Sequence, residues 1–268
     1  MVIMDCYTEC GDGKKNEDVY GYKNNVMWVI DGATDLFGTN FFGSDDDVAY
    51  YVECLGKSIE ECCEDNVKLS AILKEAIRIT NIKVKMIIEK YEAYTLPSFA
   101  ICMVRLLEDV CEYYVLGDCT ALIRTNGGQI EITDKRIQSF TTRNREGIQK
   151  LREKGLLDSD SEISLYKETR KLMNREEGYW IGSANDIGID YGKSGEIKIN
   201  GETSVLVYSD GLSEAFELFG IVKQEDDLFD PETLARIVRE LREKQEEDSN
   251  RVITRVRKKD DLTYILGR

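Results

Sequence analysis

Residues 26–34 read V-M-W-V-I-D-G-A-T, an apolar run that ends without a spacer on an aspartate, a glycine and two small residues. Such a run, bounded by Asp-Gly, predicts a buried strand meeting a turn. A strand that stops on Asp31-Gly32 carries a carboxylate at its tip, and the glycine lets the backbone turn tightly beside it, which suits a hard metal cation. One Asp-Gly in isolation marks an ordinary turn. Its meaning depends on what the rest of the chain supplies.

Upstream, residues 2–10 predict a strand that leads into Gly11-Asp12-Gly13 and the polar stretch Lys14, Lys15, Asn16, Glu17 and Asp18. By itself the pair Glu17-Asp18 reads as a solvated loop. If this segment pairs with the 26–30 run as a hairpin through Lys23-Asn24-Asn25, Asp18 and Glu17 come close to Asp31.

Downstream, Ser44 is a suitable N-cap, with Asp45, Asp46 and Asp47 in the first turn, where anions complement the helix dipole. Val48, Val52, Leu55, Ile59 and Cys62 recur at helical spacing, and Leu69, Leu73, Ala76, Thr80, Val84, Ile87 and Tyr91 form a second stripe. Both stripes are expected to cover a sheet. From Ser98 the period changes to that of strands, and the short segments up to the Asn126-Gly127-Gly128 turn predict an antiparallel meander. Within it, Gly117-Asp118 again sets a carboxylate beside a glycine at a bend.

Residues 134–178 are polar, with weak helical patterns at 144–154 and 161–173, and are expected to form an insertion or flap over one end of the sheets. Trp180 is expected to return the chain to the core. Residues 203–208, T-S-V-L-V-Y, predict another strand, which runs directly into Ser209-Asp210-Gly211 and so repeats the arrangement at Asp31. A short helix follows near Ser213, and a longer one starts at Asp230-Pro231. Lys259-Asp260-Asp261 precedes a final strand. With no Pro/Gly/Ser-rich linker and no repeat, residues 1–268 are expected to form one domain.

Composition narrows the chemistry. Histidine is absent, which excludes Ser-His-Asp and Cys-His nucleophiles, histidine-ligated zinc and a histidine general acid. The eight cysteines include no C-x-x-C and are expected to be reduced and mostly buried. None is followed six positions later by arginine, as thiol phosphatases require. The net charge of −15, from 36 Lys+Arg against 51 Asp+Glu, disfavours nucleic-acid partners. No apolar run is long enough for a membrane span, and Asp5 and Glu9 stand where a signal peptide would be basic and then apolar, so the expected location is the cytoplasm and no membrane partner is expected.

Carboxylates remain. Glu17-Asp18, Asp31-Gly32, Asp210-Gly211 and Asp260-Asp261 sit at strand edges, with Asp118 as a fifth site, and oxygen-only ligands favour Mg²⁺ or Mn²⁺ over zinc. Two such ions roughly 3.5–4 Å apart stabilise an in-line displacement at phosphorus and acidify a water, with no need for histidine.

The series N-E-D, V-x-D-G-A-T, L-G-D-C, Y-S-D-G-L and D-D-L-T-Y, in this order across residues 16–264, resembles the motif series of the metal-dependent protein phosphatases, the type 2C serine/threonine phosphatases. The resemblance implies an α+β fold, a β-sandwich of two mostly antiparallel sheets flanked by helix pairs, with a binuclear metal centre at one end. It implies that Asp31 bridges two Mg²⁺ or Mn²⁺ ions, that the Gly32 carbonyl ligates one, and that Asp18, with Glu17 nearby, holds the second partly through water. Asp210 and Asp260 would complete the other ion's set, and Asp118 with Asp210 a weaker third site. In the pair Asp260-Asp261 the first matches the ligand, and Asp261 is expected to orient the loop. The implied reaction is attack of metal-bound hydroxide on phosphoserine or phosphothreonine of a protein substrate, without a phosphoenzyme.

Two departures stand out. Members of the family usually carry an arginine about five residues before the first aspartate to grip phosphate, and here that position is Gly13. Lys14 or Lys15 are the nearest substitutes, although lysine lacks the bidentate fork. Arg251, Arg255, Arg257, Lys258 and Lys259 form a second basic candidate, although such charge runs usually face water. The other departure is Ala33, where animal members have a histidine that bacterial members also lack. Two further readings remain open: a phosphatase-like binding or regulatory protein with little activity, and a phosphatase for small phosphoesters. A monomer is expected.

Overall fold

Alternation within the 26–30 run sets the layering of the structure, a computed structural model that describes residues 1–199, 201–223, 226–248 and 257–268. In chain order the strands are β1 (Ile3–Glu9), β2 (Asp18–Lys23), β3 (Val26–Ala33), β4 (Ser98–Leu106), β5 (Val110–Leu116), β6 (Thr120–Thr125), β7 (Gly128–Thr133), β8 (Gly182–Ser183), β9 (Lys193–Lys198), β10 (Ser204–Tyr208) and β11 (Leu262–Gly267). The helices are α1 (Asp47–Cys62), α2 (Leu69–Val84), α3 (Gln138–Glu153), α4 (Ser159–Arg170), α5 (Asp210–Glu217) and α6 (Pro231–Glu247). Successive side chains of a strand point to opposite faces. Val26, Trp28 and Ile30 therefore pack on α1 and α2, while Met27 and Val29 face the second sheet. With both faces covered, no position of the run can be polar.

One sheet has the order β2-β3-β4-β5-β9, with β8 pairing to the end of β4, and the other has the order β1-β11-β10-β6-β7. Every ladder is antiparallel. Between the sheets lie Met27, Val29, Cys102, Val104, Val115, Ile123, Val207 and Ile265. On the outer face of the second sheet, Leu206, Tyr208, Tyr264 and Leu266 pack against Leu212, Leu234, Ile237 and Leu241 of α5 and α6. The four layers are helices, sheet, sheet and helices, the architecture expected from the sequence. Among the described residues no helix is long and apolar enough to cross a membrane.

Several local expectations need correction. The segments after Ser98 do not form one continuous meander, because β4 and β5 belong to the first sheet whereas β6 and β7 belong to the second. The chain changes sheets at Gly117, whose φ of +84° is open to glycine and whose Cα lies so close to Ala100 that a Cβ would stand 2.6 Å from the Ala100 Cβ. The N-cap of α1 is Asp46, which accepts from the Ala49 amide at 3.0 Å, and not Ser44. Ser44 donates instead to Asp47, whose carboxylate also takes the Phe41 and Phe42 amides. The second stripe stops at Val84 because Lys85 adopts the left-handed conformation, so Ile87 and Tyr91 lie beyond the helix. In the 134–178 region, α3 begins earlier than its pattern indicated, through a 3-10 turn at Lys135–Ile137, and α4 ends at Arg170. Trp180 is only half-buried, stacked on Tyr191 with packing contacts to the α1–α2 core.

Candidate metal centre

The hairpin of β2 and β3 forms through Asn24, which takes φ +54°, and its register sets Asp18 opposite Asp31. The ladder extends one step further, with the Gly32 amide donating to the Glu17 carbonyl at 2.9 Å. A Cβ at position 32 would stand 2.7 Å from that carbonyl and 2.8 Å from Val48, so the close approach of the two strands at this tip requires glycine. Asp118 follows the sheet change between β5 and β6. Asp210 opens α5 at the end of β10, and Asp260-Asp261 lies just before β11, which pairs with β10. The termini of strands from both sheets thus bring these carboxylates to one rim.

There each carboxylate feels the charge of others. Burial holds Asp31 well above the usual carboxylate range, and Asp18, Asp118 and Asp260 add repulsion. Asp210 is raised by burial and by Asp31, Asp260 and Asp118. Asp18 is raised by burial and by Asp261, Asp210 and Asp260, against the lowering effect of its bond from Ser209. Asp118 is pushed up to about 6, mainly by burial, and Asp260 is raised by burial against the attraction of Arg257. Asp31 and Asp210 are thus mutually perturbing groups, each held well above the usual carboxylate range.

Five mutually repelling carboxylates fit a divalent cation, which would replace their protons with positive charge. The donors are all hard oxygens, as Mg²⁺ or Mn²⁺ prefers. Among the described residues, no three Asp, Glu or Cys side chains are disposed as a closed ion cage. The side chains instead bond to their neighbours.

Among those neighbours sequence reasoning names Asp261 and Glu17 but misses Ser209. Ser209, fully buried, donates to Asp18 Oδ2 at 2.6 Å, and its oxygen accepts the Thr263 amide at 3.0 Å. The adjacency of Ser209 to Asp210 in the sequence gives no hint of this role. Asp261 accepts the Gly11 amide at 2.7 Å and the Glu17 amide at 2.8 Å, tying the N-terminal loop to β11. Glu17 is buried, and its Oε2 accepts from the Thr34 hydroxyl at 2.6 Å and from Arg257 at 2.5 Å. Burial raises it to about 7 in spite of that arginine.

The basic candidates separate. Lys14 and Lys15 are exposed, and among the described residues Lys15 pairs with Asp45, at 4.0 Å. Arg251 and Arg255 lie outside the described residues. Lys258 and Lys259 pair with Glu246 at the surface. Arg257 is not part of a solvated run: its side chain is 16% exposed, held by Glu17 and by Asp261 at 3.3 Å. Its spacing of three and four residues from Asp260 and Asp261 is the only signal in the sequence for this contact.

The region after β7 is a helical excursion. α3 and α4 are tied by Thr169 to Asn144 at 2.7 Å, and Phe140 packs with Met173, Tyr179 and Ile181. Arg170, at the end of α4, donates to Ser98 Oγ at 2.5 Å and to the Thr34 carbonyl at 3.2 Å, so this excursion reaches the strand tip that bears Asp31.

The chain is matched by no family model and by no curated protein. Among solved structures it is similar along nearly its whole length to bacterial phosphatases. The serine/threonine phosphatase PstP/Ppp of Mycobacterium tuberculosis shares 15% identity over 99% of this chain and 98% of that one, with a TM-score of 0.58. Stp1 of Staphylococcus aureus shares 14% identity over 99% and 94%, with a TM-score of 0.59. The catalytic domain of PstP in complex with two manganese ions shares 12% identity over 98% and 95%, with a TM-score of 0.55. At these identities the likeness shows the fold.

Proposed function

From this fold, that of the PPM-type serine/threonine phosphatases, we propose that the chain is a metal-dependent phosphoprotein phosphatase acting on phosphoserine and phosphothreonine. The observation that carries the reading is the meeting of Asp18, Asp31, Asp118, Asp210 and Asp260 at one rim of the sandwich, each raising the proton affinity of others. A similar fold holds two manganese ions in the PstP catalytic domain.

In this reading Asp31, Asp210, Asp260 and the Gly32 carbonyl hold one ion, Asp31 and Asp18 with Glu17 nearby hold a second, and Asp118 with Asp210 a weaker third. Two divalent ions of the magnesium or manganese class would neutralise charge on the phosphoryl group and acidify a water beside it. Ser209 orients Asp18 through one short bond and is itself fixed by the Thr263 amide. Asp261 holds the Glu17 backbone, and so fixes the β2 entrance against the tip of β3. The substrate is a phosphorylated protein presented to a monomer.

The test is hydrolysis of p-nitrophenyl phosphate and a phosphothreonine peptide with Mn²⁺, with and without chelator, for the native chain and for Asp31→Asn and Asp210→Asn. Turnover lost with chelator and in both variants is expected; turnover that survives either treatment rules the two-ion reading out. A second reading, a phosphatase-like binding or regulatory protein, takes its support from Gly13, which stands where phosphatases of this fold usually carry a phosphate-gripping arginine. Mn²⁺ binding without turnover of any phosphoester would select it.

A further inference from the structure

We propose that Arg170 and Arg257, each bonded to an oxygen of Thr34, form a two-guanidinium grip for the substrate phosphoryl group. The proposal rests on the phosphatase reading and deepens it by assigning the cations that receive the phosphate.

Thr34 lies three residues beyond Asp31, at the end of β3. Arg257 Nη2 donates to the Thr34 hydroxyl, and Arg170 Nη2 donates to the Thr34 carbonyl at 3.2 Å. The second anchor of Arg170 is Ser98 Oγ, and Ser98 pairs with Ala33 across the β3–β4 ladder. Two guanidinium groups from segments far apart in the chain, the end of α4 and the loop before β11, thus meet on one residue beside the carboxylate rim.

A phosphate monoester carries close to two negative charges at neutral pH, and seven carboxylates, Glu17, Asp18, Asp31, Asp118, Asp210, Asp260 and Asp261, crowd this end of the sandwich. Bound divalent ions would offset the carboxylates, and cations of the chain's own would orient the anion; for that, a planar fork matches phosphate oxygens better than an ammonium does. Lys14 and Lys15 are exposed and turned to other partners or to solvent. Arg170 has the charge to spare: both of its hydrogen bonds go to neutral oxygens, and it forms no ion pair with a described residue. Arg257 contributes a fixed position, since Glu17 and Asp261 hold its head. Gly13 borders this seat: a Cβ there would stand 3.1 Å from Arg257 Nη1 and 3.4 Å from its Cζ, close enough to make the guanidinium shift slightly.

A purely structural account gives these arginines other work, Arg257 neutralising Glu17 and Arg170 latching α4. The experiment separates the two. The Mn²⁺-loaded full chain and its Arg170→Gln, Arg170→Lys, Arg257→Gln and Arg257→Lys variants are compared by KM and kcat on a phosphothreonine peptide, by the Mn²⁺ activation constant, and by calorimetric binding of inorganic phosphate. The grip predicts that each glutamine variant raises KM and the phosphate Kd about tenfold, the loss of one charge-assisted contact, with partial recovery by lysine at 170 and, in Arg170→Gln, which touches no proposed metal ligand, an unchanged Mn²⁺ constant. KM and phosphate Kd within twofold of the native chain in both glutamine variants would overturn it. So would losses in Arg170→Gln that track a weakened Mn²⁺ constant or a fallen melting temperature. If the native chain binds phosphate through both arginines but turns over no phosphoester, the grip stands and the phosphatase reading fails; if it neither binds phosphate nor turns over, both fail.

Discussion

Asp18 and Asp31 face each other directly across the β2–β3 ladder, a like-charge cross-strand pair of the kind that weakens a hairpin. Asp31 also raises Asp210, and Ser209 is bonded to Asp18. Asp31→Asn removes the repulsion, so at about pH 8 in chelator the variant should be more stable than the native chain by roughly 1 kcal/mol, a rise of about 2–4 °C in Tm. Addition of Mn²⁺ should raise Tm strongly in the native chain and little in the variant. A variant less stable than the native chain without metal contradicts the pairing.

Stability should also depend on pH in a defined sense. Asp118 rises to about 6 and Glu17 to about 7, in both cases mainly through burial. Each holds its proton more tightly folded than unfolded, so its contribution is fully present below the unfolded values near 4 and is lost as pH rises through the folded ones. Carboxylates held low, such as Asp47, titrate beneath this window. The metal-free chain should therefore lose Tm between about pH 5 and 7.5, and Mn²⁺ should restore it. A series of thermal melts in chelator that is flat or rising over this range would show that the cluster is not protonated in the fold.

Ser209→Ala leaves the Thr263 amide without its acceptor and Asp18 without its donor, in a fully buried position. The expected cost is about 1–3 kcal/mol in urea unfolding. Because Asp18 is then free to turn, the Mn²⁺ activation constant should weaken as well; an unchanged constant would limit Ser209 to a packing role.

Gly117→Ala tests the change of sheets. The φ of +84° disfavours a side chain, and the new Cβ would press on Ala100. Destabilisation of more than about 1 kcal/mol is expected, together with lower activity, because Asp118 follows directly. Full stability in the variant would mean that β4 and β6 can separate at no cost.

The α3–α4 excursion is held by a small apolar cluster and by Arg170. Phe140→Ala opens that cluster, in which the Phe140 ring lies 5.3 Å from that of Tyr179 and beneath the Arg143 guanidinium at 5.0 Å. Limited proteolysis should then cut within 138–170 several times faster, while the fragment patterns from both sheets stay unchanged. Cleavage spread evenly over the chain would mean that the excursion and the sandwich unfold together.

Much of the layering is legible without coordinates, since the all-apolar 26–30 run must be covered on both faces and the stripes after Ser44 and Leu69 need a sheet to cover. The strand-tip carboxylates are legible for the same reason: Asp-Gly after an apolar run is local turn chemistry. The limits of that locality show at Ser44, where three consecutive aspartates offer alternative caps and the loop amides decide among them. They show again at Lys85, where nothing in the stripe announces a left-handed residue.

What the sequence determined by itself is therefore the order of elements, the apolar faces and the identity of the carboxylates at strand ends, because periodicity and turn propensity act over a few residues. Only the tertiary structure decided that the chain changes sheets at Gly117, that Asp261 holds the Glu17 amide, and that Arg257 and Arg170 meet at Thr34. Those contacts join residues separated by more than a hundred positions. They exist only once strand register has brought distant ends to one rim, and no pattern within a single segment encodes them.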